Sequence, residues 1–201
     1  MNILIKELEK LPKFQEYVSD ISKKLSPIVL SGLSSVGKIQ LLEATKEFAN
    51  RNICIMTYNE LQARRIVKDL KYFTNNVVYF PKREIASYDY VAESKDLPYE
   101  RIDTLNKIFE QENFVNKKSN KENLIVVTTI EALMQKMISK NEIYQNVLEF
   151  KVGKNFDLEQ LKQNLIHLGY EREEIVDAKG QFSVRGGILD IGTTKTQGVR
   201  I

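Results

Sequence analysis

The residues of this chain whose spacing could support chemistry begin with IVLSGLSSVGKIQ, at residues 28–40. Gly32, Gly37 and Lys38 have the spacing of a phosphate-binding P-loop, in which backbone N–H groups cradle phosphates and the lysine reaches the outer ones. At the next position such a loop carries a serine or threonine hydroxyl for magnesium, but this chain has Ile39. The segment is therefore a degenerate Walker A motif.

Nucleotide hydrolysis also needs an acidic residue directly after a buried strand, where it holds the metal and orients water. The apolar run NLIVVTT ends at Thr129, and the run NICIMTY ends at Tyr58, so neither ends in an acid. We therefore expect no ATPase activity, no catalytic residue, no metal and no cofactor. Weak phosphate binding at Lys38 and a solvated, purely structural Lys38 both remain open.

Two other residue types that often do chemistry occur once each. Cys54 lies inside an apolar run, which is typical of a small core residue, and His167 lies in a helical pattern, which favours a helix-end or surface position. One cysteine and one histidine cannot form a zinc site. A single cysteine also excludes an internal disulfide and is typical of a reducing cytoplasm.

Composition limits the function classes further. The 30 lysines and arginines nearly balance 27 acids, and the net charge of +3 falls short of a strongly basic nucleic-acid-binding protein. No stretch approaches the roughly 18 apolar residues of a membrane span. The start, MNILIKELEKL, is too acidic for a signal peptide. We expect a cytoplasmic protein without membrane contact.

The elements that would position the P-loop-like segment alternate between apolar runs and amphipathic stretches. Continuous apolar strands separated by helices predict a parallel sheet that is covered on both faces. The fold class is therefore α/β, a parallel-sheet domain of the P-loop kind, followed by a small β-rich (α+β) domain. The predicted strands of the first domain are 27–32, 52–58, 77–80 and 123–129.

The pattern changes near residue 139, so we predict domains at 1–138 and 139–201. A strand is predicted over 147–153 and a helix over 157–169, and short strands with glycine-containing turns follow. The chain ends in the β-like run GVRI, which predicts that it is a fragment of a longer protein and that the second domain is incomplete.

Within this second domain, the run QFSVRG predicts a strand with two different faces. Phe182 and Val184 would share one face, and Ser183 and Arg185 the other, because side chains alternate along a strand. This favours a core position for Phe182 and an exposed position for Arg185. Arg172 is surrounded by glutamates, so a surface ion pair and an interface role are both open.

Two stretches resemble a known family. GYEREEIVDAKGQFSVRGGILDI, at 169–191, is similar to the signature shared by UvrB and the bacterial transcription-repair coupling factors. YFPKREIASYDY, at 79–90, and ERIDTL, at 100–105, resemble the coupling factors more than UvrB, because the ten residues between Tyr90 and Arg101 leave no room for the DNA-clamping hairpin of UvrB. The resemblance implies a UvrB-like α/β domain with a degenerate P-loop, followed by an adaptor domain.

What the resemblance implies for function is recruitment of UvrA, a nucleotide-excision-repair protein, to stalled RNA polymerase. It assigns the UvrA contact to the arginines within YER and VRG, here Arg172 and Arg185, with Phe182 beside the latter. Where UvrB has a further arginine, this chain has Ser183, as coupling factors tend to. RNA polymerase and DNA would be bound by other parts of a longer, DNA-translocating ATPase, while this fragment would be non-catalytic.

The principal alternative is a nucleotide-dependent DNA-binding domain of the UvrB or helicase kind. Aromatic residues would stack on bases while cations contact phosphates. Neighbouring acidic residues dilute the positive charge that this binding needs. The residues on which it would rest are Tyr88, Tyr90, Tyr99, Lys82, Arg83 and Arg101.

Overall fold

The computed structural model describes residues 3–84, 96–115, 123–193 and 198–201. Contacts between residues divide the chain into two compact units. The α/β unit comprises 1–82 and 107–135, and the β-rich unit comprises 83–106 and 136–201. The domain boundary after residue 138 stays a prediction.

The α/β unit contains a three-stranded parallel sheet, in which β3 (Ile125–Thr129) lies between β1 (Ile53–Thr57) and β2 (Val77–Phe80). This topology agrees with the α/β class predicted from the sequence. The helix α5 is shared, since its residues from 107 onward group with this unit. The elements are α1 (Ile3–Glu9), α2 (Pro12–Ser22), α3 (Ser35–Ala49), β1 (Ile53–Thr57), α4 (Glu60–Leu70), β2 (Val77–Phe80), α5 (Asp96–Val115), β3 (Ile125–Thr129) and α6 (Ile130–Met134).

Side-chain caps start the helices that cover this sheet. The Asn59 side chain accepts the N–H of Gln62 at 2.8 Å, which satisfies a donor at the start of α4. Residues of α3 and α4 then pack on the strands in one apolar cluster. Its buried members are Ile39, Ala63, Val67, Leu70, Val77, Ile125 and Val127.

The strand predicted over residues 27–32 is not formed, so the described part of the sheet has three strands and not four. Val29 is 86% exposed and Leu30 is 47% exposed. An apolar run becomes a strand only where a neighbouring strand satisfies its backbone groups, and this run has no such pairing among the described residues. The prediction of a strand leading into the P-loop-like segment is therefore wrong.

The first strand also differs from its prediction. Ile53 and Ile55 pack against the core of the α/β unit, but Cys54 and Met56 on the opposite face of β1 are exposed. Covering on both faces is therefore wrong for β1, and so is the core position of Cys54. The apolar run alone cannot reveal this because its two faces have similar composition.

The β-rich unit has a four-stranded sheet with the order β4-β5-β6-β7. The strands β4 and β5 are parallel, and the remaining neighbours are antiparallel. The elements are α7 (Lys140–Gln145), α8 (Leu158–His167), β4 (Glu171–Arg172), β5 (Gln181–Arg185), β6 (Ile188–Ile191) and β7 (Val199–Arg200).

The core of the β-rich unit lies between α8 and one face of this sheet. Leu161 and Leu165 of α8 meet the buried side chains of Phe182, Leu189 and Ile191. The helix α8 confirms the helix predicted over 157–169. Asp157 caps it by accepting the N–H groups of Glu159 and Gln160 at 2.9 and 3.2 Å.

The strand predicted over 147–153 is not formed. Leu148 and Phe150 nevertheless pack against the same core as partly buried side chains. Their apolar character is therefore explained by burial against this core and not by strand pairing. In the described part of the chain, no helix combines the length and apolar character needed to cross a membrane.

Candidate functional site

The P-loop-like segment folds into a helix start in which two N–H groups are already bonded. Gly32 has the left-handed φ of +77°. Ser34 caps α3: its Oγ accepts the N–H of Gly37 at 3.1 Å, and its carbonyl accepts the N–H of Lys38 at 2.9 Å. A phosphate cradle needs these donors for the ligand. In this conformation Ser34 already accepts both N–H groups.

The residues after Gly37 have different environments. Ile39 is only 4% exposed and belongs to the core of the α/β unit, whereas Lys38 is exposed. Burial therefore explains the hydrocarbon at the position of the missing magnesium ligand: the side chain packs between α3 and the sheet.

A cavity of about 510 Å³ lies beside Lys38. Its lining is largely apolar and includes Leu30, Leu33 and Leu61, and Asp69 is the one carboxylate among its described residues. Magnesium prefers several oxygen ligands. Among the residues that the structure describes, no group of three or more histidines, cysteines or acids could hold a metal ion.

The second candidate site is built by β5 and the residues around β4. Phe182 is 0% exposed and packs in the core, so this member of the predicted UvrA-contact set does not lie on the surface. This agrees with the core position that strand alternation favours and corrects Phe182 as a direct contact. Its neighbour Ser183 is also buried, and its Oγ donates to the Glu174 carbonyl at 2.8 Å.

Arg172 and Arg185 line one surface groove of about 630 Å³. They lie on neighbouring strands, Arg172 on β4 and Arg185 on β5. The groove also contains Ile175, which is 70% exposed. Arginines and an exposed apolar side chain in one groove are a combination that protein interfaces use. The remaining lining residues are Glu173, Glu174, Ser183 and Val184.

Comparisons with known proteins show what this chain is similar to. Residues 148–201 match the family described as "UvrB interaction domain". The transcription-repair-coupling factor of Bacillus subtilis (strain 168) is 29% identical over 181 residues, which are 89% of this chain and 14% of the relative. The corresponding protein of Staphylococcus aureus (strain bovine RF122 / ET3-1) is 28% identical over 176 residues, 86% of this chain and 14% of the relative. The chain resembles the transcription-repair-coupling factors.

This finding confirms the resemblance noted in the sequence. The chain spans 14% of the length of these coupling factors. Every residue of the groove lies inside the part that matches the UvrB interaction domain.

The sequence reasoning missed an ion-pair group beside this groove. Arg185 Nη2 donates to Asp190 Oδ2 at 2.8 Å across the β5–β6 hairpin, and Arg200 Nε donates to Asp190 Oδ1 at 2.6 Å. The signal that could have found it is the strand register, in which Asp190 stands opposite both Ser183 and Arg200.

Hydrogen bonding between Asp190 and Arg200 favours the charged form of each. Hydrogen bonds from Arg200 and then from Arg185 lower the pKa of the Asp190 carboxyl from 3.8 to about 2. The hydrogen bond with Asp190 in turn raises the pKa of Arg200. Asp190 is therefore ionised throughout the neutral range and can accept hydrogen bonds from both guanidinium groups.

The alternative DNA-binding set is not assembled as predicted. Arg101 is only 6% exposed, and burial and then the charge of Arg83 lower its pKa, so it cannot contact a phosphate at the surface. Lys82 pairs with Glu131 at 2.7 Å. Tyr99 lies directly against Gly180, where no side chain larger than hydrogen would fit. Two tyrosines of this set lie outside the described residues: Tyr88 and Tyr90.

Proposed function

We propose that this chain is the N-terminal, UvrA-binding region of a transcription-repair-coupling factor. The β-rich unit is its adaptor, and the contact is centred on Arg172 and Arg185. The observation that carries this proposal is the groove: both arginines that the resemblance singles out line it together, within residues 148–201, which match the UvrB interaction domain.

The chemistry of the groove favours a protein partner with carboxylates. Arg172 and Arg185 are exposed, and the guanidinium fork is suited to bidentate contact with carboxylates. Ile175 in the same groove offers an exposed apolar side chain for a partner to cover. Glu173 and Glu174 would reject an acidic surface that does not align its charges with the arginines, which adds specificity.

The mechanism that we propose is recruitment. A coupling factor held at a stalled RNA polymerase would bring UvrA to the lesion by raising its local concentration. In this account RNA polymerase, DNA and the ATP-driven motor belong to other parts of the longer protein. The chain itself performs no covalent step, and it acts in the cytoplasm, where polymerase and repair proteins meet.

The experiment that tests the proposal is a titration of the chain with purified UvrA at fixed salt. We expect Arg172→Glu and Arg185→Glu each to weaken binding at least about tenfold, or roughly 1.4 kcal/mol. Arg51→Glu is the matched control, because Arg51 is an exposed arginine of the α/β unit.

The affinities can be compared if all variants have the same thermal unfolding midpoint as the parent chain. Loss of affinity in the two groove variants with a normal control supports the proposal. Equal affinity of all four proteins would mean that UvrA is bound elsewhere, and no binding by the parent chain would contradict recruitment by this region.

A second prediction separates this adaptor from a nucleotide-dependent DNA-binding domain. Because Ser34 already accepts the N–H groups of Gly37 and Lys38, we expect no magnesium-dependent nucleotide affinity. Lys38→Ala should therefore leave UvrA binding within about twofold and change no nucleotide signal, measured by fluorescent-nucleotide titration. Magnesium-dependent binding that Lys38→Ala abolishes would favour the alternative.

A further inference from the structure

A row of polar side chains crosses the sheet of the β-rich unit on the face opposite its core. Ser183, Asp190 and Arg200 are register partners on β5, β6 and β7. Arg185, two residues after Ser183, points to the same face because side chains alternate along a strand. The pairing of three strands thus brings Arg200 next to Arg185, although fourteen residues separate them in the sequence.

Asp190 fixes the two arginines in this row. Its Oδ2 accepts from Arg185 Nη2 at 2.8 Å and from Arg200 Nη2 at 3.0 Å, and its Oδ1 accepts from Arg200 Nε at 2.6 Å. The Asp190 side chain is 15% exposed, whereas those of Arg185 and Arg200 are 59% and 69% exposed. The anion is therefore largely covered while both cations face solvent.

The group retains both charge and hydrogen-bonding capacity for a partner. Two guanidinium groups share one carboxylate, so the net charge is +1. An arginine carries five N–H donors, and the bonds to Asp190 use one donor of Arg185 and two of Arg200. A partner carboxylate can therefore bind without displacing Asp190.

We propose that Arg200 is a third arginine of the UvrA-binding surface and that Asp190 is the residue that positions it together with Arg185. The partner surface that fits is a cluster of carboxylates extending from the groove across β5–β7. This inference rests on the proposed function and adds to it a contact outside the YER and VRG motifs.

Sharing Asp190 explains why Arg200 is needed. If Asp190 paired with Arg185 alone, that pair would be neutral and would attract an acidic partner weakly. The bidentate bond to Arg200 divides the carboxylate between two cations, so a positive charge remains on this face. Fixed side chains also lose less rotamer entropy when a partner binds.

The test measures UvrA affinity for the whole chain and for single and combined variants. We expect Arg200→Gln to weaken binding about fivefold or more, the size that separates an interface arginine from a near-neutral contact. Arg51→Gln is the matched control. Arg200→Lys, which keeps the charge without the fork, should recover part of the affinity.

The positioning role of Asp190 is tested by whether the effect of Asp190→Asn on UvrA binding requires the two arginines. Asp190→Asn should weaken binding in the parent chain but have no further effect when Arg185→Gln and Arg200→Gln are both present. Asp190→Glu, which restores a carboxylate, should recover part of the loss. Thermal unfolding of each variant accounts for any change in the folded fraction.

Three results would overturn the inference. Arg200→Gln within twofold of the parent, while Arg185→Gln weakens binding, removes Arg200 from the contact and leaves the proposed function intact. Tighter binding after Asp190→Asn shows that Asp190 competes with the partner. Failure of the parent chain to bind UvrA contradicts the proposed function as well.

Discussion

At the scale of single residues, neighbours decide what a motif residue can do. Ser34 satisfies two N–H groups that a phosphate would need, and Ile39 occupies the core of the α/β unit. In the β-rich unit Asp190 orients Arg185, so the exposed arginine presents a fixed guanidinium group. A motif match identifies residue types, whereas these contacts determine which donors are available.

The Asp190 carboxylate makes a prediction about acid stability. Its pKa in the folded chain is about 2, below its ordinary value of 3.8. The unfolded chain therefore takes up a proton first as the pH falls, and the stabilisation by Asp190 is fully present above about pH 4 and is lost towards pH 2. We expect the free energy of unfolding of Asp190→Asn to be lower than that of the parent at pH 6, and the difference to shrink as the pH falls to 2.5.

Urea denaturation at several pH values measures this difference. A gap between the two proteins that stays constant from pH 6 to pH 2.5 would contradict the ion-pair group as described.

At the scale of elements, strand alternation predicts the β5 faces well. It places Phe182 in the core and Arg185 at the surface, as observed. It does not predict that Ser183, on the face of Arg185, is buried, because that depends on Glu174, whose carbonyl accepts the Ser183 hydroxyl. Likewise Arg200 could not be assigned from its own sequence context, since its contact with Asp190 requires the register of β6 and β7.

Elements predicted from apolar runs alone are less secure. Residues 27–32 and 147–153 are apolar enough for strands, yet neither forms one in the described structure. Apolar composition predicts burial or exposure to a partner, whereas a strand also needs a neighbour that satisfies its backbone groups. The helices α3, α4 and α8 were predictable because periodicity and a capping residue coincide.

The helix α3 carries a buried ion pair whose loss should be costly. Lys46 Nζ lies 2.8 Å from Glu43 Oε1, with side-chain exposures of 2% and 6%, and also donates to Thr74 at 3.0 Å. Lys46→Met would leave the Glu43 carboxylate buried without its cation. We expect the free energy of unfolding to fall by about 3–5 kcal/mol, measured by urea denaturation.

A second variant separates this ion pair from simple packing. Adding Glu43→Leu to Lys46→Met removes the uncompensated charge and should restore most of the stability. Lys68→Met, at an exposed position of α4, is the control and should change stability by less than about 0.5 kcal/mol. A loss below about 1 kcal/mol for Lys46→Met would contradict the importance of the pair.

At the scale of the whole molecule, the two units have different roles in this account. The α/β unit keeps a P-loop-like sequence without the conformation or metal ligand of a nucleotide site. The β-rich unit carries the groove and the arginine row within the residues that match the UvrB interaction domain. The sequence indicated this division of roles through the resemblance, while the contacting surface required the fold.

We propose that the folded chain binds UvrA through charged groups of its β-rich unit. The most direct measurement is the dissociation constant of the unmodified chain for UvrA at two salt concentrations, with unfolding monitored in parallel. We expect saturable binding of the chain to UvrA, with an affinity that falls as salt screens the arginines. Absence of saturable binding by the folded chain, or an affinity indifferent to salt, would contradict it.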